Sequence, residues 1–176
     1  MPGPNEIRTA RLDLGRWTLD DRDVAAFFAI WGDPRVVWWG PCADHDAARA
    51  AIHRVNQRCT EDPVLGWWAM TERATGAIVG SACLQPAPVP AGEIELGWHL
   101  ALAHQGKGFA SEAARAVVAH AWAGGLRRVV AEVVPLNWPS LAIARKLGMK
   151  PVDMVERAGC GHVVFSLERP AARARP

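Results

Sequence analysis

The stretch from Glu93 to Ala123 limits this chain more than any other. Glu93 to Leu100 alternates: Ile94, Leu96, Trp98 and Leu100 fall on one side, Glu93, Glu95, Gly97 and His99 on the other. That is the period of a strand, and its second face is polar, so it looks onto something other than a core. The turn Gln105-Gly106-Lys107-Gly108-Phe109-Ala110 follows. A helix then runs from Ser111 to Ala123, with Ala114, Val117, Val118 and Ala121 at helical spacing and Gly124-Gly125 as its stop. A glycine-rich turn that opens a helix gathers backbone N–H groups, and the helix terminus adds about half a positive charge. With Lys107 in the turn, a pyrophosphate is the natural ligand; a plain strand-to-helix turn is the competing reading.

Two familiar phosphate loops fail here. A Walker A loop needs GxxxxGK followed by Ser or Thr, but Lys107 is followed by Gly108, and Ala101 stands where the first glycine belongs. The dinucleotide pattern GxGxxG lacks its third glycine, because Ser111 occupies that place.

The rest of the chain reads as mixed α/β with one sheet. Arg8 to Leu14 alternates as a strand. Thr18 is placed to cap a helix that carries Val24, Phe27, Phe28 and Trp31 and ends at Pro34. Asp46 to Cys59 is a second helix. Trp67–Thr71 and Ile78–Leu84 form a hairpin around Thr75-Gly76. Val129 to Val134 is a β-branched run typical of a buried strand. Trp138 to Leu147 is a helix opened by Pro139 and closed by Gly148, and Val152–Val155 and His162–Leu167 are two last strands. The 176 residues suit a single domain, 1–176, with flexible ends at 1–6 and 169–176.

Composition removes several function classes. The net charge is only +2 and the longest basic run is Arg127-Arg128, so no field recruits nucleic acid. No apolar run reaches the roughly 18 residues that span a bilayer, and the N-terminus lacks the pattern of a secretory signal. The four cysteines have neither CxxC nor zinc-finger spacing, so no metal site is expected, and free thiols in a reducing cytoplasm are. Nine Trp and no Tyr mean that no step can use a phenol.

The turn does not stand alone. Gln105-x-x-Gly108-x-Ala110 is similar to the Q/R-x-x-G-x-G/A signature of the GNAT superfamily of N-acetyltransferases. Glu95-Leu96-Gly97-Trp98-His99-Leu100, Asn137-Trp138-Pro139-Ser140, Lys146-Leu147-Gly148-Met149, Thr9-Ala10-Arg11-Leu12 and Asp33-Pro34 resemble, in order and spacing, the subgroup that acetylates ribosomal-protein N-termini at alanine or serine. The resemblance implies a mixed, mostly antiparallel sheet of about six to seven strands, splayed between the fourth (93–100) and fifth (129–134), with about four helices.

The resemblance also implies acetyl-CoA as cosubstrate and an amine as acceptor. Pantetheine would thread the splay, on backbone groups of Leu100, Ala101 and Leu102. The pyrophosphate would lie on Gln105, Gly106, Lys107, Gly108, Phe109, Ala110 and Ser111. Glu95 is the expected base, with Glu93, His99 or water as alternatives. Ser140, in the first turn of its helix, would donate to the leaving thiolate in place of the family's tyrosine. Asn137 would bond CoA amides or cap that helix. Arg145 and Lys146 could meet the adenosine phosphates or be solvated charges.

Trp17, Trp67 and Trp122 are expected in the core. Trp31, Trp38 or Trp39 could line an acceptor pocket. An α-amine, with its pKa near 8, suits a weak base better than a lysine amine does. Open alternatives are a small-molecule amine as acceptor and, in another class, a non-catalytic acyl-CoA sensor. By analogy alone a homodimer is plausible.

Overall fold

A computed structural model describes residues 6–37, 40–59, 62–88, 90–157 and 159–171. Eight strands form one sheet: β1 (Ile7–Arg8), β2 (Leu12–Arg16), β3 (Gly66–Glu72), β4 (Ile78–Pro86), β5 (Ile94–Leu100), β6 (Arg128–Val133), β7 (Lys150–Arg157) and β8 (Cys160–Glu168). Four α-helices accompany them: α1 (Asp21–Trp31), α2 (His45–Gln57), α3 (Phe109–Ala123) and α4 (Trp138–Leu147). The strand order is β1-β2-β3-β4-β5-β6-β8-β7, and every neighbouring pair is antiparallel except β5 with β6.

Two local details differ from the sequence expectation. The single strand expected over Arg8–Leu14 is a tight hairpin, because Thr9 turns the chain: its N–H donates to the Leu12 carbonyl at 2.8 Å and its hydroxyl accepts from the Leu12 N–H at 2.8 Å. This adds the eighth strand, so the strands expected as fourth and fifth are β5 and β6. The cap of α1 is Asp20 rather than Thr18. Asp20 accepts from Asp23 N–H, and the Asp23 carboxylate accepts from Thr18 N–H, each at 2.8 Å. The cap has moved along by two residues, because a carboxylate at Asp20 reaches the first turn and Thr18 lies outside it; the return bond from Asp23 goes to Thr18 N–H, not to the cap's own N–H.

Trp17 and Trp68 are fully buried, Trp67 is buried and lines the functional cleft, and Trp122 is half-buried against the core. Trp38 and Trp39 lie outside the described residues. The two faces of β5 separate two environments. Trp98 reaches Ser140 at the start of α4, whereas His99 packs on Trp31 of α1 with ring centroids 4.3 Å apart.

β4 and β5 pair along seven residues, and close packing at Gly80 lets them do so. A Cβ on Gly80 would lie 2.3 Å from the His99 carbonyl oxygen, a backbone atom with no freedom to move aside. Gly80→Ala is therefore expected to destabilise by roughly 1–3 kcal/mol, lowering the melting temperature by about 2–10 °C. A thermal melt within a degree of wild type would contradict this packing.

Candidate active site

The sheet opens between β5 and β6. These strands share one register pair, Glu95 with Val130. Beyond it, residues 96–100 have no ladder partner on the β6 side, while their other edge stays paired to β4. That edge of β5 borders a cleft of about 780 Å³. Backbone amides left without a strand need polar partners, and an amide-bearing ligand supplies them.

The glycine turn forms one end of this cleft. α3 starts at Phe109, two residues earlier than its apolar pattern indicates, with Gly108 as N-cap at φ 82° and no side-chain cap. Gly106 is also left-handed, at φ 77°. An uncapped helix start leaves its first N–H groups available to an anion. Gln105, Gly106, Gly108, Ala110 and Ser111 line the cleft, whereas Ala101, Leu102, Lys107 and Phe109 are not on its wall. Leu102–His104 form a single 3₁₀ turn that the sequence pattern did not signal. Gln105 Nε2 donates to the Leu100 carbonyl at 3.2 Å, tying the turn to the end of β5.

The β1–β2 hairpin holds the turn from behind. Glu112 accepts from Thr9 Oγ1 at 2.6 Å, from Arg11 N–H at 2.8 Å and from Arg11 Nε at 2.7 Å. Arg11 Nη1 donates to the Lys107 carbonyl at 3.0 Å, and its guanidinium lies 4.7 Å over the Phe109 ring. Burial alone would raise the Glu112 pKa; the Thr9 and Arg11 donors more than reverse this and leave it lowered. The acid behind the glycine turn thus stays ionised and is paired.

The other wall carries the titratable groups. Glu95 is held by a relay: Trp67 Nε1 donates to Gln85 Oε1 at 2.9 Å, and Gln85 Nε2 donates to Glu95 Oε2 at 2.9 Å. Burial pushes the Glu95 pKa up, the Gln85 hydrogen bond opposes this, and the neighbouring charges of Glu132 (raising) and Arg157 (lowering) contribute less. The His99 pKa falls to about 4 through burial, so the ring is neutral near pH 7 and is a weak base. Glu93 is not on the cleft wall and pairs with Arg128 at 3.4 Å.

Ser140 and Asn137 line the cleft opposite Glu95's strand. Asn137 accepts from Ser140 N–H at 3.2 Å and so caps α4. Ser140 Oγ accepts from Trp98 Nε1 at 3.4 Å, which leaves its own hydroxyl proton free to be donated. Lys146 lines the cleft; Arg145 does not.

Among the cleft residues that the sequence does not signal as a site are Gln85 of β4, Glu132 of β6, Arg157 of β7 and His162 of β8. Arg157 Nη1 meets Glu132 Oε2 at 3.1 Å, and His162 Nδ1 lies 3.6 Å from the same oxygen. One signal was available: Glu132 interrupts the apolar run Val129–Val134, and a carboxylate inside a buried strand needs a partner.

Residues 11–150 match the acetyltransferase (GNAT) domain family. The uncharacterized N-acetyltransferase p20 of Bacillus licheniformis is 30% identical over 148 residues, covering 82% of each chain. Among solved structures, an acetyltransferase of Agrobacterium tumefaciens superposes with TM-score 0.77 at 27% identity, covering 93% of this chain and 94% of its own. The ribosomal-protein-S5-alanine acetyltransferase of Vibrio fischeri gives 0.73 at 15% identity, with 93% and 96% covered. Mycobacterium smegmatis RimJ, in complex with CoA-disulfide, gives 0.76 at 16%, with 94% and 88% covered.

A side chain at Gly108 would project from the turn at a backbone angle that L-residues rarely adopt. Gly108→Val is expected to weaken acetyl-CoA binding at least tenfold by calorimetry. It also costs about 1–3 kcal/mol of stability through the strained backbone, so it is not neutral to the fold. Unchanged affinity would remove the pyrophosphate from this turn.

Proposed function

The chain belongs to the GNAT acetyltransferase family, and from that premise we propose that it moves the acetyl group of acetyl-CoA to a primary amine, by direct attack in a ternary complex at the β5–β6 cleft. Glu95 carries this reading: it is a half-buried carboxylate of raised pKa, held by Gln85, at the point where the two strands part.

Pantetheine takes the free edge of β5, and the pyrophosphate takes the N–H groups from Gln105 to Ser111. The acceptor nitrogen, once neutral, attacks the thioester carbonyl carbon. A C–N bond forms and the carbonyl π electrons move to oxygen. Collapse of that tetrahedral species breaks the C–S bond and expels the CoA thiolate. Glu95 receives the nitrogen's proton, directly or through one water. Ser140 donates a hydrogen bond to the departing sulfur. A thiol pKa near 8.5 makes that bond sufficient without full proton transfer.

The acceptor we favour is a protein N-terminal α-amine. Such an amine, with its pKa near 8, yields its proton to a carboxylate more readily than a lysine does. The fold likeness to a ribosomal-protein alanine acetyltransferase supports the same class.

Two results test the roles. Glu95 must be ionised to accept a proton, so kcat falls as pH drops through its raised pKa. The Gln85 hydrogen bond favours the ionised form. Gln85→Leu should therefore move the acid limb of kcat to higher pH, and Glu95→Gln should abolish the limb, both followed by release of free thiol from acetyl-CoA. A limb in the same place in all three proteins excludes Glu95 as the base. Ser140→Ala should lower kcat about tenfold, the worth of one hydrogen bond of roughly 1–2 kcal/mol, with acetyl-CoA affinity kept. An unaltered kcat takes Ser140 out of the mechanism.

A further inference from the structure

Two buried polar atoms in the cleft have no hydrogen-bond partner among the described residues, and they are of opposite kind. Trp31 Nε1 is a donor and Glu132 Oε1 an acceptor. Native interiors rarely leave such groups unpaired, and a ligand is one of the standing reasons.

Both residues line the cleft onto which Glu95 faces. Trp31 comes from the last turn of α1. Its ring packs on His99 at 4.3 Å and on Trp67 at 5.2 Å, so its orientation is fixed from two sides. Glu132 comes from β6, two residues beyond Val130, as Gly97 is two beyond Glu95. A Cβ on Gly97 would strike Cys83 Sγ at 2.6 Å, so the strand tolerates no side chain at this position. The Glu132 side chain is 2% exposed, and Arg157 engages only its Oε2. That contact leaves Oε1 to something else.

We propose that Trp31 Nε1 and Glu132 Oε1 form a recognition pair for an acceptor whose reacting amine stands next to a carbonyl. The arriving ammonium donates to Glu132 Oε1, and Trp31 Nε1 donates to the carbonyl oxygen. Glu95 then meets the same nitrogen as base. A simple alkylamine satisfies Glu132 alone. A neutral amide satisfies Trp31 alone. An α-amino amide satisfies both, and this chemistry belongs equally to a chain N-terminus and to a free amino-acid derivative. The inference rests on the transferase reading above, and it names the residues that would choose the acceptor.

Ligand-observed NMR titrations of the CoA-loaded protein test it without turnover. The probes are alaninamide, isopropylamine (ammonium without carbonyl) and lactamide (carbonyl without ammonium). Wild type should bind alaninamide most tightly. Glu132→Gln should weaken alaninamide and isopropylamine about tenfold and spare lactamide. Trp31→Phe keeps the ring and loses the N–H, and it should weaken alaninamide and lactamide and spare isopropylamine. Alaninamide binding at wild-type strength in both variants overturns the proposal, and so does a uniform weakening of all three probes. A tripeptide amide beginning with alanine, compared with alaninamide, separates a chain terminus from a free derivative. Loss of the probe pattern with acetyl transfer intact refutes the recognition pair and spares the proposed reaction. The intact pattern without transfer does the reverse.

Discussion

One backbone contact organises this molecule. Among the described residues β5 and β6 share a single register pair, Glu95 with Val130. On one side of the bridge lie β1 to β5 and on the other β6, β8 and β7, each set held by long antiparallel ladders. A sheet that continued to pair would leave no room for a ligand. A sheet that did not pair at all would lack a fixed distance between its halves. The single bridge does both jobs, and Glu95 is the residue placed on it. The proposed chemistry therefore sits at the apex of the opening, where burial raises the carboxylate's pKa and Gln85 limits the rise.

The glycine turn gains its meaning from the same opening. Backbone N–H groups at an uncapped helix start suit any anion. They suit CoA in particular because the free edge of β5 leads into them, so amide partners and phosphate partners lie in one line. The β1–β2 hairpin supplies rigidity. Thr9 and Arg11 grip Glu112 from behind, and Arg11 also holds the Lys107 carbonyl. Thus a segment about a hundred residues earlier in the chain fixes the shape of the proposed phosphate site.

Much of this was legible in the sequence, for a physical reason. The alternation of β5, the glycines of the turn and the Asn137–Ser140 helix start are local patterns, and each shows itself within a dozen residues. What the sequence hid is long-range register. Gln85 reaches Glu95 because β4 and β5 pair those two residues, and Glu132, Arg157 and His162 meet because three strands align. None of these pairings leaves a local mark beyond a charged residue inside an apolar run. The Thr9 turn was hidden too, since a two-residue strand and the start of the next one look like one alternating segment. Thr18 and Asp20 are both good caps by type, and only geometry separates them.

The central claim is that one cleft, opened at Glu95–Val130, holds the thioester between Glu95 and Ser140. A crystal structure with acetyl-CoA bound tests it most directly. The account predicts phosphates on the N–H groups from Gly106 to Ser111, pantetheine amides on the free edge of β5, and the acetyl carbon between Glu95 and Ser140. Acetyl-CoA bound with its phosphates away from that turn, or its acetyl group away from Glu95, would contradict it.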